Sequence, residues 1–319
     1  MMKKVIKIKH FVVMLIILIN TVAYAGTDEY CQYFYDSVSA NSLPDTCLNY
    51  PPVNYKSFDQ TNIIKGAATS TSFTFNAVNW KLFTHVVDDF STQTYIGEAI
   101  AYIFAMAFDE TGDVLYGLEN SSKNLVTIDQ TNGAVTVVGP LTNFIDSNNQ
   151  TVSGLDIAPD GTCYVSSTDT STSILYTCDL TTGTLTLVGT LSSTPALIGI
   201  AADCDGNLYG HDIVHDSIFS INVVTGSATL IGLTGYDTNL AQDLTYDRQE
   251  KKLYGYILTL NQNTIYGPIN TSTGAVTPLA VDDPWGQFVG ASKTSCLLSD
   301  FIFRDGFDNS DLIFSNGFE

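Results

Sequence analysis

Positive charge is scarce in this chain. Thirteen Lys and Arg stand against 33 Asp and Glu, a formal net charge of −20 at pH 7. A field of that sign repels phosphate backbones and anionic headgroups, which argues against nucleic acid and membrane surfaces as partners. Long hydrophobic runs are also missing. The run from Phe11 to Ile19 is shorter than the ~20 apolar residues of a spanning helix, and no second stretch approaches that length. Linear catalytic signatures are absent too: no Gly-x-Ser-x-Gly, no Gly-x-x-x-x-Gly-Lys and no His-Glu-x-x-His. Yet hydrophobic residues make up 45% of the chain and charged ones only 14%, so low charge density excludes a disordered acidic chain.

What is present starts at the N-terminus. Lys3, Lys4, Lys7 and Lys9 precede the apolar run, and Ala23-Tyr24-Ala25 follows it. This is the pattern of a secretory signal peptide cleaved before Gly26. The expectation is an exported protein, periplasmic, extracellular or cell-surface, with no membrane insertion after cleavage. The leader carries four lysines and no acidic residue, so its loss makes the chain more acidic still. Cations and basic surfaces are favoured over anionic partners. Six cysteines in an exported chain imply disulfides rather than metal thiolates. Cys31 and Cys47 fall in an N-terminal extension, residues 26–79, and are expected to pair there.

From residue 80 to 299 the chain repeats itself. "MAFDETGDVLYGLENSSKNLVTIDQTNGAVTVVG" is followed by three relatives, in which Tyr116, Tyr164, Tyr209 and Tyr254 recur every 45 to 48 residues. Each unit reads as four short β-branched and aromatic runs separated by turn signals, too short for helices. Third and fourth runs are joined by a D/N-x-x-x-G step: Asp129 to Gly133, Asp179 to Gly183, Asn222 to Gly226 and Asn270 to Gly274. There the acid or amide accepts from the turn backbone and the glycine takes positive φ.

Four-stranded units at this period predict an all-β fold, a β-propeller. Phe83–Gly97 fits the third and fourth strands of a further blade, and Phe288–Ser299 fits its first and second. Joined, they close a ring of about five blades with strands from both ends of the domain. Ser70–Trp80 supplies a further strand, which keeps six blades as the alternative. The "LYG…LVTID…TGAVTVVG" unit at Leu115–Gly139 resembles the repeats of secreted bacterial propeller domains of unknown function, near the quinoprotein-like and regucalcin-like propellers in general appearance. The resemblance implies the fold and little about activity. The only tryptophans, Trp80 and Trp285, do not form a quinoprotein pattern, and the metal-binding residues of regucalcin-like lactonases find no matching positions.

Repeat register places Cys163 and Cys178 on adjacent antiparallel strands of one blade, which predicts a cross-strand disulfide, with two buried free thiols as the alternative. Cys204 falls in a hairpin turn and Cys296 in the closing blade; their pairing stays open. "DCDGN" at Asp203–Asn207 has the start of a calcium loop but lacks the later bidentate glutamate, so it reads as a turn.

Loops between second and third strands share one face with the connections between blades. The candidates on that face are Asp146, Asp169, His211, Asp212, His215, Asp216, Tyr236, Asp237, Asp282, Asp283 and Trp285. His211 and His215, four apart with carboxylates beside them, are the candidate ligands for zinc or another divalent cation, the only cofactor considered. His85, on a strand, is expected to face solvent or a neighbouring blade. An 11-residue echo, "DFIFRDGFD" then "DLIFSNGFE", forms a tail at 300–319 that is read as a sorting or attachment element.

The expected function is an exported binding or interaction module whose acidic loop face meets a protein, glycan or cation. A divalent-metal-dependent hydrolase or lyase using the same face is one alternative. A structural cell-surface protein is the other.

Overall fold

The computed structural model describes residues 70–145, 150–191, 193–239, 243–260, 263–282 and 287–296, all within one compact unit, Ser57–Glu319. The expected leader, the Cys31/Cys47 pair and the aromatic tail lie outside the described residues.

Strands β1 (Thr71–Asn76), β2 (Lys81–Val86) and β3 (Asp89–Glu98) come first. Blade II comprises β4 (Ile103–Phe108), β5 (Leu115–Glu119), β6 (Asn124–Ile128) and β7 (Val135–Pro140). Blade III comprises β8 (Thr151–Ile157), β9 (Cys163–Thr168), β10 (Ser173–Cys178) and β11 (Leu185–Leu191). Blade IV holds β12 (Leu197–Ala202), β13 (Leu208–Asp212), β14 (Ser217–Ile221) and β15 (Ala228–Leu233). Blade V holds β16 (Asp243–Asp247), β17 (Lys252–Leu258), β18 (Thr264–Ile269) and β19 (Ala280–Asp282). The last strand, β20 (Phe288–Ser292), returns to pair with β1 and completes blade I in the order β20-β1-β2-β3. The fold is an all-β, five-bladed propeller whose last blade is closed by strands from both ends. Its first strands, β20, β4, β8, β12 and β16, contact one another in turn around the axis.

The closing blade differs from expectation in one strand. Phe83–Gly97 does supply the third and fourth strands, but Phe288–Ser299 supplies only the first, and β1 lies between them. Ser70–Trp80 therefore fills the second position of blade I rather than starting a sixth blade, and the propeller begins at Thr71. The reason is apolar burial. Phe73 and Phe75 enter the core with Met106, Phe108 and Val126, whereas Lys293 and Ser295 beyond β20 are exposed.

The repeated "TG…VG" phrase has a mechanical meaning. In each D/N-x-x-x-G hairpin the glycine N–H donates to the carbonyl of the leading residue, as from Gly133 to Asp129 at 2.8 Å, and Gly133 sits at φ 77°. The Asp129 carboxylate accepts from the Thr131 N–H at 2.7 Å and its hydroxyl at 2.6 Å. That turn then packs on the glycine ending the fourth strand of the preceding blade. Gly97 meets Asn132, Gly139 meets Thr182, Gly189 meets Thr225 and Gly232 meets Thr273. Four of the five blade junctions are linked in this way.

The junction of blade V with blade I is built differently. Ala280 stands where the others have glycine, opposite Tyr266 in the ladder. Here Val87, Phe90, Tyr254, Tyr256, Tyr266 and Phe288 form a buried aromatic cluster. The Tyr256 hydroxyl shares hydrogen bonds with Ser72 at 3.1 Å and Thr74 at 3.0 Å, and the Tyr254 hydroxyl donates to the buried Asp88 carboxylate.

Two disulfides are present among the described residues. Cys163 and Cys178 face each other across β9 and β10 with Cα atoms 5.1 Å apart, the cross-strand arrangement expected. Cys204 and Cys296 also pair, with a Cα separation of 5.6 Å, although blades IV and I are not neighbours. In a five-bladed ring the innermost strands converge, so the β12–β13 turn and the exit of β20 meet across one mouth of the axis. The bridge passes over blade V, with Cys204 Sγ 3.9 Å from the Arg248 carbonyl.

Candidate functional site

Hairpin β13–β14 carries four of the eleven sequence candidates, His211, Asp212, His215 and Asp216, and gives each a separate task. Asp212 is buried. Its carboxylate accepts from the Ala196 N–H at 2.8 Å, from the His215 N–H at 2.9 Å and from His215 Nδ1–H at 2.8 Å. Burial raises its pKa, and those donors oppose the rise. Asp216 is also buried, at φ 49°, and its carboxylate accepts from the Thr238 N–H at 2.8 Å and hydroxyl at 2.6 Å. These carboxylates tie the hairpin to the connections that precede and follow blade IV. His215 keeps its side chain 49% exposed beside Asp212.

His211 goes elsewhere. Adjacent strand residues point to opposite faces of a sheet, so the imidazole that Asp212 holds and the one on His211 lie on different sides of β13. His211 is opposite Ile218, whose side chain packs with Leu244, Leu253 and Ile269 of blade V. The His211 ring is wholly buried, neither nitrogen has a hydrogen-bond partner, and burial pushes its pKa down to about 3. The two histidines are thus not brought together as a ligand pair. No group of three or more His, Cys, Asp or Glu is arranged to hold a metal ion among the described residues.

Asp169 caps the β9–β10 loop, accepting from the Ser171 N–H at 2.9 Å and the Thr172 N–H at 2.7 Å. Partial burial opposes its ionisation, yet these hydrogen bonds leave its pKa below the ordinary value. Tyr236 and Asp237 lie half-buried between blades IV and V, and burial raises the Tyr236 pKa. Asp282 ends β19. Asp146, Asp283 and Trp285 lie outside the described residues. The turn reading of "DCDGN" holds: one Asp203 carboxylate oxygen accepts from the N–H groups of Asp205 and Asn207, each at 2.9 Å.

His85 faces its neighbouring blade, buried against Phe90 and Tyr266. Its Nδ1–H donates to the Val86 carbonyl at 2.8 Å, so Nε2 is left to accept from Thr74 at 2.9 Å. Burial lowers its pKa to about 4.

Sequence reasoning missed the charges on the axis. Asp156 on β8 receives the Ala202 N–H at 2.5 Å. Asp243 on β16, fully buried, receives the Gly290 N–H at 3.0 Å. Arg248, also buried, donates from Nη2 to the Ile157 carbonyl across the axis from blade V to blade III. Burial lifts the Asp156 pKa to about 6 despite the Arg248 charge, and burial, with Asp156 nearby, raises that of Asp243. A signal existed. Asp156 pairs with Tyr164 where Ala107 and Ala201 pair with Tyr116 and Tyr209, so a carboxylate replaces a methyl in one repeat. Asp243 and Arg248 are closed off from solvent, and these charges join inner strands.

The model of the family described as "Repeat of unknown function (DUF6923)" matches residues 81–296, from β2 to the last described cysteine. The chain belongs to the DUF6923 repeat family. Its repeats are the blades above, and the match leaves out β1, whose sequence lacks the repeat phrase. No curated protein matches the chain. Among solved structures, a chain of a nidogen/laminin complex is similar at 13% identity and a TM-score of 0.48, covering 71% of this chain and 100% of that one. Regucalcin, a calcium-binding protein from Agrobacterium tumefaciens, is similar at 16% identity and 0.42, covering 71% and 73%. The PQQ-bound aldose sugar dehydrogenase from Streptomyces coelicolor is similar at 14% and 0.41, covering 59% and 70%. These likenesses say nothing of the activity of the DUF6923 chain.

Proposed function

We propose that this DUF6923 protein is an exported interaction module whose face of second-to-third-strand loops and blade connections engages a basic partner surface. One observation carries the reading: the loop-face carboxylates Asp169, Asp212 and Asp216 are each held by donors of their own turn or of an adjoining connection, so they build a rigid platform instead of converging on one reacting atom. Rigid loops recognise a partner without an ordering cost. A chain of net charge −20 steers toward cationic surfaces. Two disulfides, and no helix among the described residues long and apolar enough to cross a membrane, are consistent with export into an oxidising compartment.

The test is retention on an immobilised oligolysine peptide at graded salt. The double variant Asp169→Asn/Asp237→Asn, on the loop face, is compared with Asp160→Asn/Asp205→Asn, which removes equal charge from turns of the opposite face. Greater loss of retention in the first supports the reading. Equal loss in both, or no retention of the wild type, overturns it.

A further inference from the structure

The loop face carries an apolar patch in the sector of blades I and II. Val78, in the β1–β2 turn, is 55% exposed, and Ile100, in the connection from β3 to β4, is 77% exposed. The Ala99 N–H donates to the Trp80 carbonyl at 2.9 Å, which ties that connection to that turn. Half-buried aromatic rings extend the patch toward inner strand β4. Trp80 packs edge-on against Tyr102 with centroids 5.8 Å apart, and Tyr102 lies 6.5 Å from Phe104. The charges around it balance. Lys81 opposes Glu98 in the β2–β3 ladder. Glu119 is held by the Ser121 and Ser122 N–H groups at 2.7 and 2.8 Å, and Lys123 donates to Asn120, whose own N–H donates to the Tyr102 carbonyl. On a chain of net charge −20, two lysines beside two glutamates leave this sector neutral, so an acidic apolar segment is not repelled here.

We propose that this patch receives the C-terminal tail of a second copy of the chain. The tail is a segment of that chemistry. Residues 300–319 contain the apolar triplets Phe301-Ile302-Phe303 and Leu312-Ile313-Phe314, each preceded by an aspartate and each followed three residues on by Gly-Phe and an acid. Contact with the patch takes both apolar surfaces out of water. Where the tail starts decides whose patch it fills. Lys293, just past β20, donates its N–H to the Thr71 carbonyl at the start of β1, whereas Ala77, past the other end of β1, donates to the Gln287 carbonyl ahead of β20, each at 2.8 Å. Cys296 therefore leaves on the face opposite the patch, at the axis mouth where it is bridged to Cys204. The six residues of β1 rise about 20 Å, and a four-stranded blade is about 15 Å wide. Phe301, next to the tail's start, lies within about 18 Å of Cys296, too near to round the rim of its own ring and reach the patch. A neighbouring copy presents the patch directly. Tail on one face and patch on the other make a heterologous, head-to-tail contact, which builds a ring or an open filament.

The experiment is sedimentation velocity of the chain at rising concentration, with a fluorescent peptide of residues 300–319 as a separate probe read by anisotropy. The wild type is expected to form concentration-dependent oligomers, and Phe303→Asp/Phe314→Asp to sediment as a monomer. That variant, its own tail disabled, binds the peptide. Adding Ile100→Asp weakens the binding about tenfold, with unchanged melting temperature. Leu230→Asp, which puts the same charge on an exposed leucine of β15 in blade IV, leaves it unaltered. No peptide binding overturns the proposal, as does equal weakening by Ile100→Asp and Leu230→Asp. A wild type that stays monomeric while the tail variant binds peptide means docking within one chain, and also overturns it. The oligolysine test compares carboxylates outside this sector, so the two outcomes are independent.

Discussion

Gly139, at the end of β7, lies directly against Thr182 of the next blade: a Cβ at Gly139 would sit 2.2 Å from the Thr182 carbonyl oxygen. Backbone fills that space, and backbone cannot rotate away as a side chain does. Gly139→Ala must therefore separate blades II and III or distort the hairpin, at a cost of about 1–3 kcal/mol. Urea unfolding of variant and wild type measures it. The expected result is a lower midpoint with little change in slope.

The two disulfides differ in span, and their removal is expected to differ in the same order. Cys204 and Cys296 are 92 residues apart in sequence, Cys163 and Cys178 only 15. By chain entropy the long loop stabilises more, about 4–5 kcal/mol against about 3. Guanidinium unfolding of the two double Ser variants checks the order, with the Cys204→Ser/Cys296→Ser protein the weaker.

Acid weakens the fold through its buried histidines. The folded-state pKa of His211 is lowered to about 3 and that of His85 to about 4, below the value of about 6.5 for an exposed imidazole. As pH falls from about 6.5, the unfolded chain takes up protons that the folded one refuses, and stability is lost. His211→Leu removes one of these sites, so its melting temperature should fall less than that of the wild type between pH 6.5 and pH 4.

Asp156 acts in the opposite sense. Its pKa is raised to about 6 in the folded protein, whereas an exposed aspartate titrates near about 3.9. As pH rises from about 4 to about 6 the unfolded chain releases its proton first, so this group's contribution declines. Asp156→Asn lacks that decline. Melting curves at pH 4 and pH 7 should show the variant gaining on the wild type as pH rises.

Much of the architecture was legible because a propeller repeats its local instructions. The spaced tyrosines, the D/N-x-x-x-G hairpins and the small-residue strand ends recur in four blades, and each reports a local requirement of turn or packing. Blade I was harder to read because β1 carries none of that phrase; "TSFTFN" qualifies for its place by the burial of Phe73 and Phe75. The loop-face candidates were legible as residue types only. Sequence spacing set His211 and His215 four apart, but strand alternation turned one imidazole into the blade interface and left the other beside Asp212.

From its residues alone the chain determined the four-stranded repeat, the hairpin chemistry and the register that sets Cys163 opposite Cys178, since these are contacts between neighbours in sequence or in register. Ring closure decided the rest. Only convergence of the inner strands could bring Cys204 to Cys296, place Arg248 over Ile157, and join the turns of blades II and V with the exit of β20 into one groove. Those partners lie in non-neighbouring blades or at opposite ends of the chain, where the pattern within one repeat carries no record of what sits across the axis.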